Sequence, residues 1–185
     1  SEASSVSSTA MGFQTKASGN YSTALGSRTE ASGSTSIAMG RDTKASEDYS
    51  TAMGYYTEAS GKYSTAMGNT TKALGQGSIA MGLETVTSGQ YSTAMGEKSQ
   101  AKGTYSTAMG YYADAHSYAM TAIGRYNVNE GSNLTSWFQN DPVFVIGIGS
   151  GYAYNERKNA MTVLKGGRIG LLTVTKPNYA LQLPN

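Results

Sequence analysis

Large and small side chains alternate in a short string that recurs along the first two-thirds of the chain. In the copy that ends at Gly68 the order is Tyr-Ser-Thr-Ala-Met-Gly. Period-two alternation is typical of a β-strand whose two faces meet different surroundings. The string therefore predicts a strand with Thr65 and Met67 on one face and with Ala66 and Gly68 on the other.

The string returns every 14 residues, nine times, without insertion or deletion. A repeat this regular indicates a stack of equivalent rungs. We predict turn positions for its closing glycines, which are Gly12, Gly26, Gly40, Gly54, Gly68, Gly82, Gly96, Gly110 and Gly124. One apolar residue precedes each glycine, and together these form the Met column: Met11, Leu25, Met39, Met53, Met67, Met81, Met95, Met109 and Ile123.

The other half of the period is equally regular. It contains the Thr column, which is Thr15, Thr29, Thr43, Thr57, Thr71 and Thr85, followed by Ser99. A second glycine column falls about seven residues from the first, which predicts two short strands and two turns per rung. Stacked at about 4.8 Å, nine rungs make a β-solenoid on the order of 40 Å tall.

The narrow interior of such a solenoid suits Ala, Ser and Gly, and this leaves the Met column outside. A continuous apolar stripe on a repeat protein marks an assembly surface, so we expect the Met column to pack against other copies of the chain. The residues also allow the opposite assignment, with the methionines as an ordinary core and the alanines outside.

Composition agrees with a thin interior. Only 25 of the 185 residues are Leu, Ile, Val or Phe, which is too few for the thick core of an ordinary globule. A net charge of +2 gives no support for nucleic acid as a partner. No apolar run is long enough for a membrane span, so we expect no insertion into a membrane. The chain has no cysteine and therefore no disulfide.

The Ser-x-Ala-[Ile/Met]-Gly string, its 14-residue period and the Thr-x-Ala-x-Gly half-repeat resemble the YadA-like head of trimeric autotransporter adhesins. The resemblance covers residues 1–124. It implies an all-β, left-handed parallel β-roll, a parallel homotrimer with a shared apolar core, and a place at the cell surface on an anchor in the outer membrane. Thr usually replaces the Val of the family's string, and Met usually replaces its Ile.

The 14-residue register is lost after Gly124, which divides the chain into head repeats at 1–124 and a β-rich neck or cap at 125–185. Residues 125–141 predict a transition loop with an aromatic anchor. Two strands are predicted at 143–148 and 159–165, then a Gly166-Gly167 hairpin turn and a third strand near 168–175. The second part resembles segments of bacterial surface proteins and phage tail fibres, and by that resemblance it caps the roll or joins three chains.

Catalytic chemistry has little support in the residues. His116 is the only histidine, and we expect it at a surface or an interface rather than acting as a base. The acidic side chains alternate with lysines and predict a solvated face of mixed charge. The residues indicate no metal site and no cofactor site, so we expect a protein that is not an enzyme.

The tyrosine pairs Tyr55-Tyr56 and Tyr111-Tyr112 fall in turns and are candidates for ligand contact, with packing between neighbouring rungs as the alternative. The main hypothesis is an adhesin head that attaches, as a homotrimer, to an extracellular protein, a glycan or another surface ligand. A second hypothesis is a structural shaft of a phage or virus-like fibre. A third is an ice-binding solenoid that uses its Thr ladder.

Overall fold

The computed structural model describes residues 1–128 and 131–171, and in this part each rung has one five-residue strand and one two-residue strand. The longer strands are β2 (Thr9–Phe13), β4 (Thr23–Ser27), β6 (Ile37–Arg41), β8 (Thr51–Tyr55), β10 (Thr65–Asn69), β12 (Ile79–Leu83), β14 (Thr93–Glu97), β16 (Thr107–Tyr111) and β18 (Thr121–Arg125). The shorter strands are β1 (Glu2–Ala3), β3 (Lys16–Ala17), β5 (Glu30–Ala31), β7 (Lys44–Ala45), β9 (Glu58–Ala59), β11 (Lys72–Ala73), β13 (Val86–Thr87), β15 (Gln100–Ala101) and β17 (Asp114–Ala115).

These strands stack into two parallel sheets in which each residue pairs with its equivalent in the next rung. Ala66 pairs with Ala80, and Met67 pairs with Met81. The shorter strands form a nine-stranded sheet and the longer ones begin a twelve-stranded sheet. The predicted all-β parallel solenoid is thereby confirmed. In the described ranges there is no helix of the length and apolarity that a membrane span requires.

Small side chains fill the space between the sheets. The alanine column of the longer strands is wholly buried from Ala24 to Ala122, and the Thr column is at most 2% exposed from Thr15 to Thr85. The Met column lies on the outer face of the larger sheet, where it is half-buried in eight rungs and 64% exposed at Met11. The alternative with methionines inside is therefore wrong, and the Thr column cannot offer a surface to ice.

The closing glycines lie within strands, which corrects the prediction that they form turns. They occupy the fourth position of each longer strand at φ values of 98° to 133°, and Gly68 faces solvent rather than the interior. A Cβ on Gly68 would stand 2.1 Å from the carbonyl oxygen of Gly82. Glycine is required here because successive rungs approach too closely for a side chain. The set is Gly12, Gly26, Gly40, Gly54, Gly68, Gly82, Gly96, Gly110 and Gly124.

Left-handed backbone is found instead at the two corners of each rung, mostly in residues other than glycine. The corner before a longer strand holds tyrosines such as Tyr63 at φ 61°, and the corner after it holds residues such as Tyr56 at φ 51°. The strain of this conformation is offset by a backbone bond to the previous rung, as from Tyr63 N–H to Asp48 O at 3.0 Å.

The larger sheet continues past residue 124. β19 (Pro142–Ile148) pairs in parallel with β18, and β20 (Asn159–Leu164) and β21 (Ile169–Leu171) follow as antiparallel strands. Gly124 pairs with Gly147, so the register that the sequence loses is resumed in space. A short 3₁₀ turn (Tyr154–Glu156) lies between β19 and β20. The third strand was expected to run to Thr175, but residues 172–175 lie outside the described part.

Each sheet is closed at this end by a different group. The backbone of β19 covers the edge of β18. The side chain of Asn127, wholly buried, covers β17: its Oδ1 accepts from Asp114 N–H at 2.8 Å, and its Nδ2 donates to Asp114 O at 2.9 Å. The expected aromatic anchor is not buried, because Trp137 is 55% and Phe138 is 47% exposed.

Candidate functional site

Two columns of side chains cover the outer face of the larger sheet. One is the Met column and the other contains Thr with two isoleucines, Ile37 and Ile79, each 37% exposed. Because the strands are parallel and in register, each column stacks equivalent side chains from rung to rung, as where Met95 pairs with Met109. The result is an apolar stripe, nine rungs long, on a face that no other element of the described chain covers.

Both columns continue into the C-terminal strands. Ile123 pairs with Ile146, Ile146 pairs with Met161, and Met161 pairs with Leu171. The second outer column, which contains Thr with Ile37 and Ile79, continues in the same way, and its members beyond Thr121 are Phe144, Val163 and Ile169. Sequence reasoning missed these six residues. The signal was present, since Phe-Val-Ile-Gly before Ile148 parallels Thr-Ala-Ile-Gly before Arg125.

The Tyr55-Tyr56 pair stands exposed at the corner after a longer strand. The rings meet edge to face at 4.4 Å between centroids and, among the described residues, touch no third ring. Tyr55 and Tyr56 are 39% and 47% exposed, and the guanidinium of Arg41 lies 5.4 Å from the ring centre of Tyr55. The pair presents exposed aromatic surface beside a cation, which suits contact with a ligand.

A shallow cavity of about 330 Å³ lies beside Tyr56. Its lining is Asp42, Lys44, Tyr56, Thr57, Glu58, Thr70 and Lys72. Arg28 donates to Asp42, with 2.6 Å between Nη2 and Oδ2, and this hydrogen bond holds the pKa of Asp42 below its ordinary value. The carboxylate of Asp42, beside Tyr56, is therefore paired with a cation.

The Tyr111-Tyr112 pair occupies the equivalent corner four rungs further on, roughly 19 Å away along the stack. It belongs to a cluster, because Tyr112 stacks on Tyr126 at 4.8 Å and meets Tyr152 edge to face at 4.3 Å. Tyr126 is 4% exposed, and its burial raises its pKa to about 12. The two tyrosine pairs thus differ, since this one joins the last rung to the loop after β19.

The predicted face of mixed charge lies on the smaller sheet and its corner. Lys72 Nζ is 3.7 Å from Glu58, and Lys98 Nζ is 3.7 Å from Glu84, each between neighbouring rungs. Asp114 departs from the prediction because it is only 6% exposed and accepts from Lys102 Nζ at 2.8 Å. Exposed ion pairs of this kind contribute little to the stability of the fold. Their main effect is to keep this face of the solenoid solvated.

Titratable groups do not converge on a reaction centre in the described residues. There, no three His, Asp or Glu side chains stand close enough to hold a metal ion. His116 is half-buried in the last full rung. Lys165, whose side chain is fully buried, lies 4.0 Å from Asp141 and 5.4 Å from the ring of Trp137, and burial lowers its pKa. This contact ties the hairpin to the preceding loop.

Comparison with known families gives a match over the roll. The family described as YadA head domain repeat (2 copies) matches residues 3–29, 31–57, 59–85 and 88–113, which together are more than half of the chain. Each segment spans nearly two rungs. No curated protein matches the chain.

Proposed function

The chain belongs to the YadA head family, and from that premise we propose that it is the head of a homotrimeric adhesin that attaches to ligands outside the cell. The family is a surface-exposed adhesin domain, a structural and binding kind of protein rather than an enzyme. Anchoring of the parent protein in an outer membrane is part of the proposal.

The outer apolar stripe is the observation that carries the proposed trimer. Its methionines other than Met11 are half-buried in a single chain, and their remaining apolar surface would be covered by other copies. Covering it contributes on the order of 1 kcal/mol per side chain, repeated at every rung. Because the column is parallel and in register, copies that stand side by side can bring equivalent methionines together at each level.

Three chains would repeat every exposed feature around one axis. The Tyr55-Tyr56 pair, with Arg41 beside it, would then occur three times at one height of the fibre. Weak contacts to an extracellular protein or a glycan would add through avidity. The pair is the better candidate for such contacts because Tyr111-Tyr112 is engaged with Tyr126 and Tyr152.

The test is a binding screen of the folded chain against matrix proteins, oligosaccharides and whole cells. For any ligand that binds, we expect Tyr55→Ser/Tyr56→Ser to weaken binding at least tenfold. The control is Tyr21→Ser, which removes a tyrosine that is 61% exposed at the opposite corner. Equal effects of both variants would remove the Tyr55-Tyr56 pair from the ligand surface.

The second candidate function is a shaft that holds binding modules apart. It is favoured by the uniformity of the rungs, whose nine-stranded and twelve-stranded sheets run through the stack without a break. Absence of binding to every ligand in the screen, by a chain shown to be trimeric and folded, would favour the shaft over the adhesin head.

A further inference from the structure

The outer face of β19–β21 holds six apolar side chains with no charged residue among them. They are Phe144, Ile146, Met161, Val163, Ile169 and Leu171, here called the C-terminal patch. Ile169 and Leu171 are 62% and 61% exposed, and the other four are half-buried. A contiguous exposed patch of this kind marks an interaction surface.

We propose that the C-terminal patch is the main self-association surface of the chain, occupied by further copies of the chain. The inference rests on the proposed homotrimer and adds where most of its stability lies. The two proposals differ in where the interface is strongest. An interface formed by the Met column alone would be distributed evenly over the rungs.

Strand register places the six side chains on the face that carries the Met column. Val145 pairs with Ala122 of the solenoid interior and is wholly buried, so its neighbours Phe144 and Ile146 point outward. Across β20 the same alternation sets Thr162 opposite Val145. Copies that meet along the roll therefore meet the C-terminal patch as well.

Because its side chains are larger and more apolar, the outer face of β19–β21 should self-associate more strongly than the outer face of the roll. In the roll, one of the two outer columns is mostly Thr, whose hydroxyl gains little from leaving water. In β19–β21 that column becomes Phe144, Val163 and Ile169. Covering Phe, Val or Ile removes more apolar surface from water than covering Thr does, so we expect three of these strands to contribute more than an equal number of rungs.

The two cationic side chains nearest the C-terminal patch have contacts within the chain. Lys165 lies against Asp141 at 4.0 Å, and Arg168 Nη2 donates to Asn140 Oδ1 at 2.6 Å. The side chain of Lys165 is already buried in the single chain, so covering the patch does not remove further water from it. A copy of the chain fits best because the patch is continuous with columns that present the same residues at the same height in every copy.

The experiment measures the mass of the full chain by sedimentation equilibrium over a range of concentrations, with circular dichroism as the check of folding. Phe144→Asn/Ile146→Asn changes both outer columns in β19. The matched control, Ile79→Asn/Met81→Asn, changes both in β12. We expect the first pair to raise the concentration of half-dissociation at least 100-fold and the control to raise it less than tenfold.

Equal effects of the two pairs, or a larger effect of the control, would overturn the inference and leave the trimer standing. A wild-type chain that is monomeric throughout would overturn both. If Phe144→Asn/Ile146→Asn fails to fold, Ile169→Asn/Leu171→Asn gives the answer, because these side chains are exposed in the single chain. That variant is expected to fold and to dissociate at least tenfold more readily, and unchanged association by it would contradict the inference.

Discussion

The roll and the C-terminal strands place their apolar side chains differently. Between the sheets of the roll, the wholly buried side chains are Ala, Ser and Thr, with Met120 as a larger exception in the last rung. In β19–β21, the apolar side chains of Val145 and Pro142 are wholly buried, while Phe144 and Ile146 lie on the outer face. A thin solenoid has no room for large side chains, so they remain outside, where another copy can cover them.

The two regions also obtain regularity by different means. The roll repeats one backbone geometry, and its closing glycines leave space for the backbone of the next rung. The C-terminal end stops that repetition, with β19 covering one sheet and Asn127 the other. Uncovered strand edges are sites of unwanted pairing. The roll should therefore be sensitive to substitutions at its stacked glycines, and the C-terminal end to loss of the groups that cover the strand edges.

The largest effect is expected from an alanine in the stack. Gly68→Ala would put a Cβ 2.1 Å from the carbonyl oxygen of Gly82 at a φ of 125°. Neighbouring backbone cannot yield without breaking the ladder, so unfolding should become easier by more than about 4 kcal/mol. The control is Gly170→Ala in β21, where the nearest atom to the new Cβ is 3.9 Å away. Denaturant titration at one protein concentration measures both, and similar losses would show that tight stacking is not what requires glycine.

A smaller loss is expected at the end of the shorter sheet. Asn127→Ala removes two buried hydrogen bonds to the backbone of Asp114, which should cost about 2–4 kcal/mol. Asn69→Ala changes an exposed asparagine in β10 and should cost less than about 0.5 kcal/mol. Amide exchange of Gln100 and Asp114 should quicken only in the first variant. Unchanged exchange would mean that Asn127 does not protect this edge.

Inside the roll, a gain of stability is expected. The hydroxyl of Thr71 is buried, and within the described chain it has no hydrogen-bond partner. Thr71→Val keeps the shape and removes the unpaired group, so stability should rise by up to about 1 kcal/mol. Ser64→Ala is the comparison, because Ser64 Oγ accepts from Gly61 N–H at 3.2 Å and its loss should be destabilising. A loss in both variants would indicate that the Thr column is hydrogen-bonded after all.

The smallest effect concerns alkaline pH at the junction of the two regions. The folded state raises the pKa of Tyr126 to about 12 from an ordinary 10.0 and so favours the neutral phenol. This contribution to stability is complete below pH 10 and is lost as the pH rises from 10 to 12. Tyr126→Phe should lose less stability over that range than wild type, whereas the exposed Tyr21→Phe should behave as wild type does. Identical pH dependence in all three would contradict the assignment.

Most of the roll could be predicted from the sequence because the same pattern recurs in nine rungs. Each assignment of a strand and its register is therefore supported by nine copies. The role of the closing glycines could not be predicted, since a turn and a close stack both require glycine. The structure shows that tyrosines such as Tyr63 take the left-handed corners instead. The continuation into β19 was hidden by spacing. Gly147 follows Gly124 by 23 positions instead of 14, so nine extra residues conceal a tenth strand in the same register.

The proposed assignments of the surface could be predicted only in part. The Met column follows directly from period and residue type. The difference between Tyr55-Tyr56 and Tyr111-Tyr112 does not, because it depends on Tyr126 and Tyr152, and Tyr152 reaches the cluster from the loop after β19. Which of these surfaces binds a ligand stays a prediction for the screen.

The most direct test of the proposed assembly uses the lack of cysteine in the chain. In Met67→Cys, equivalent thiols of neighbouring copies should stand close enough for a disulfide, and mild oxidation should give disulfide-linked dimers. One thiol of each trimer is left over, so a monomer band should persist. Lys62→Cys, at an exposed corner, should link little. Efficient linking by Lys62→Cys alone, or no linking by a folded Met67→Cys, would contradict the shared Met column.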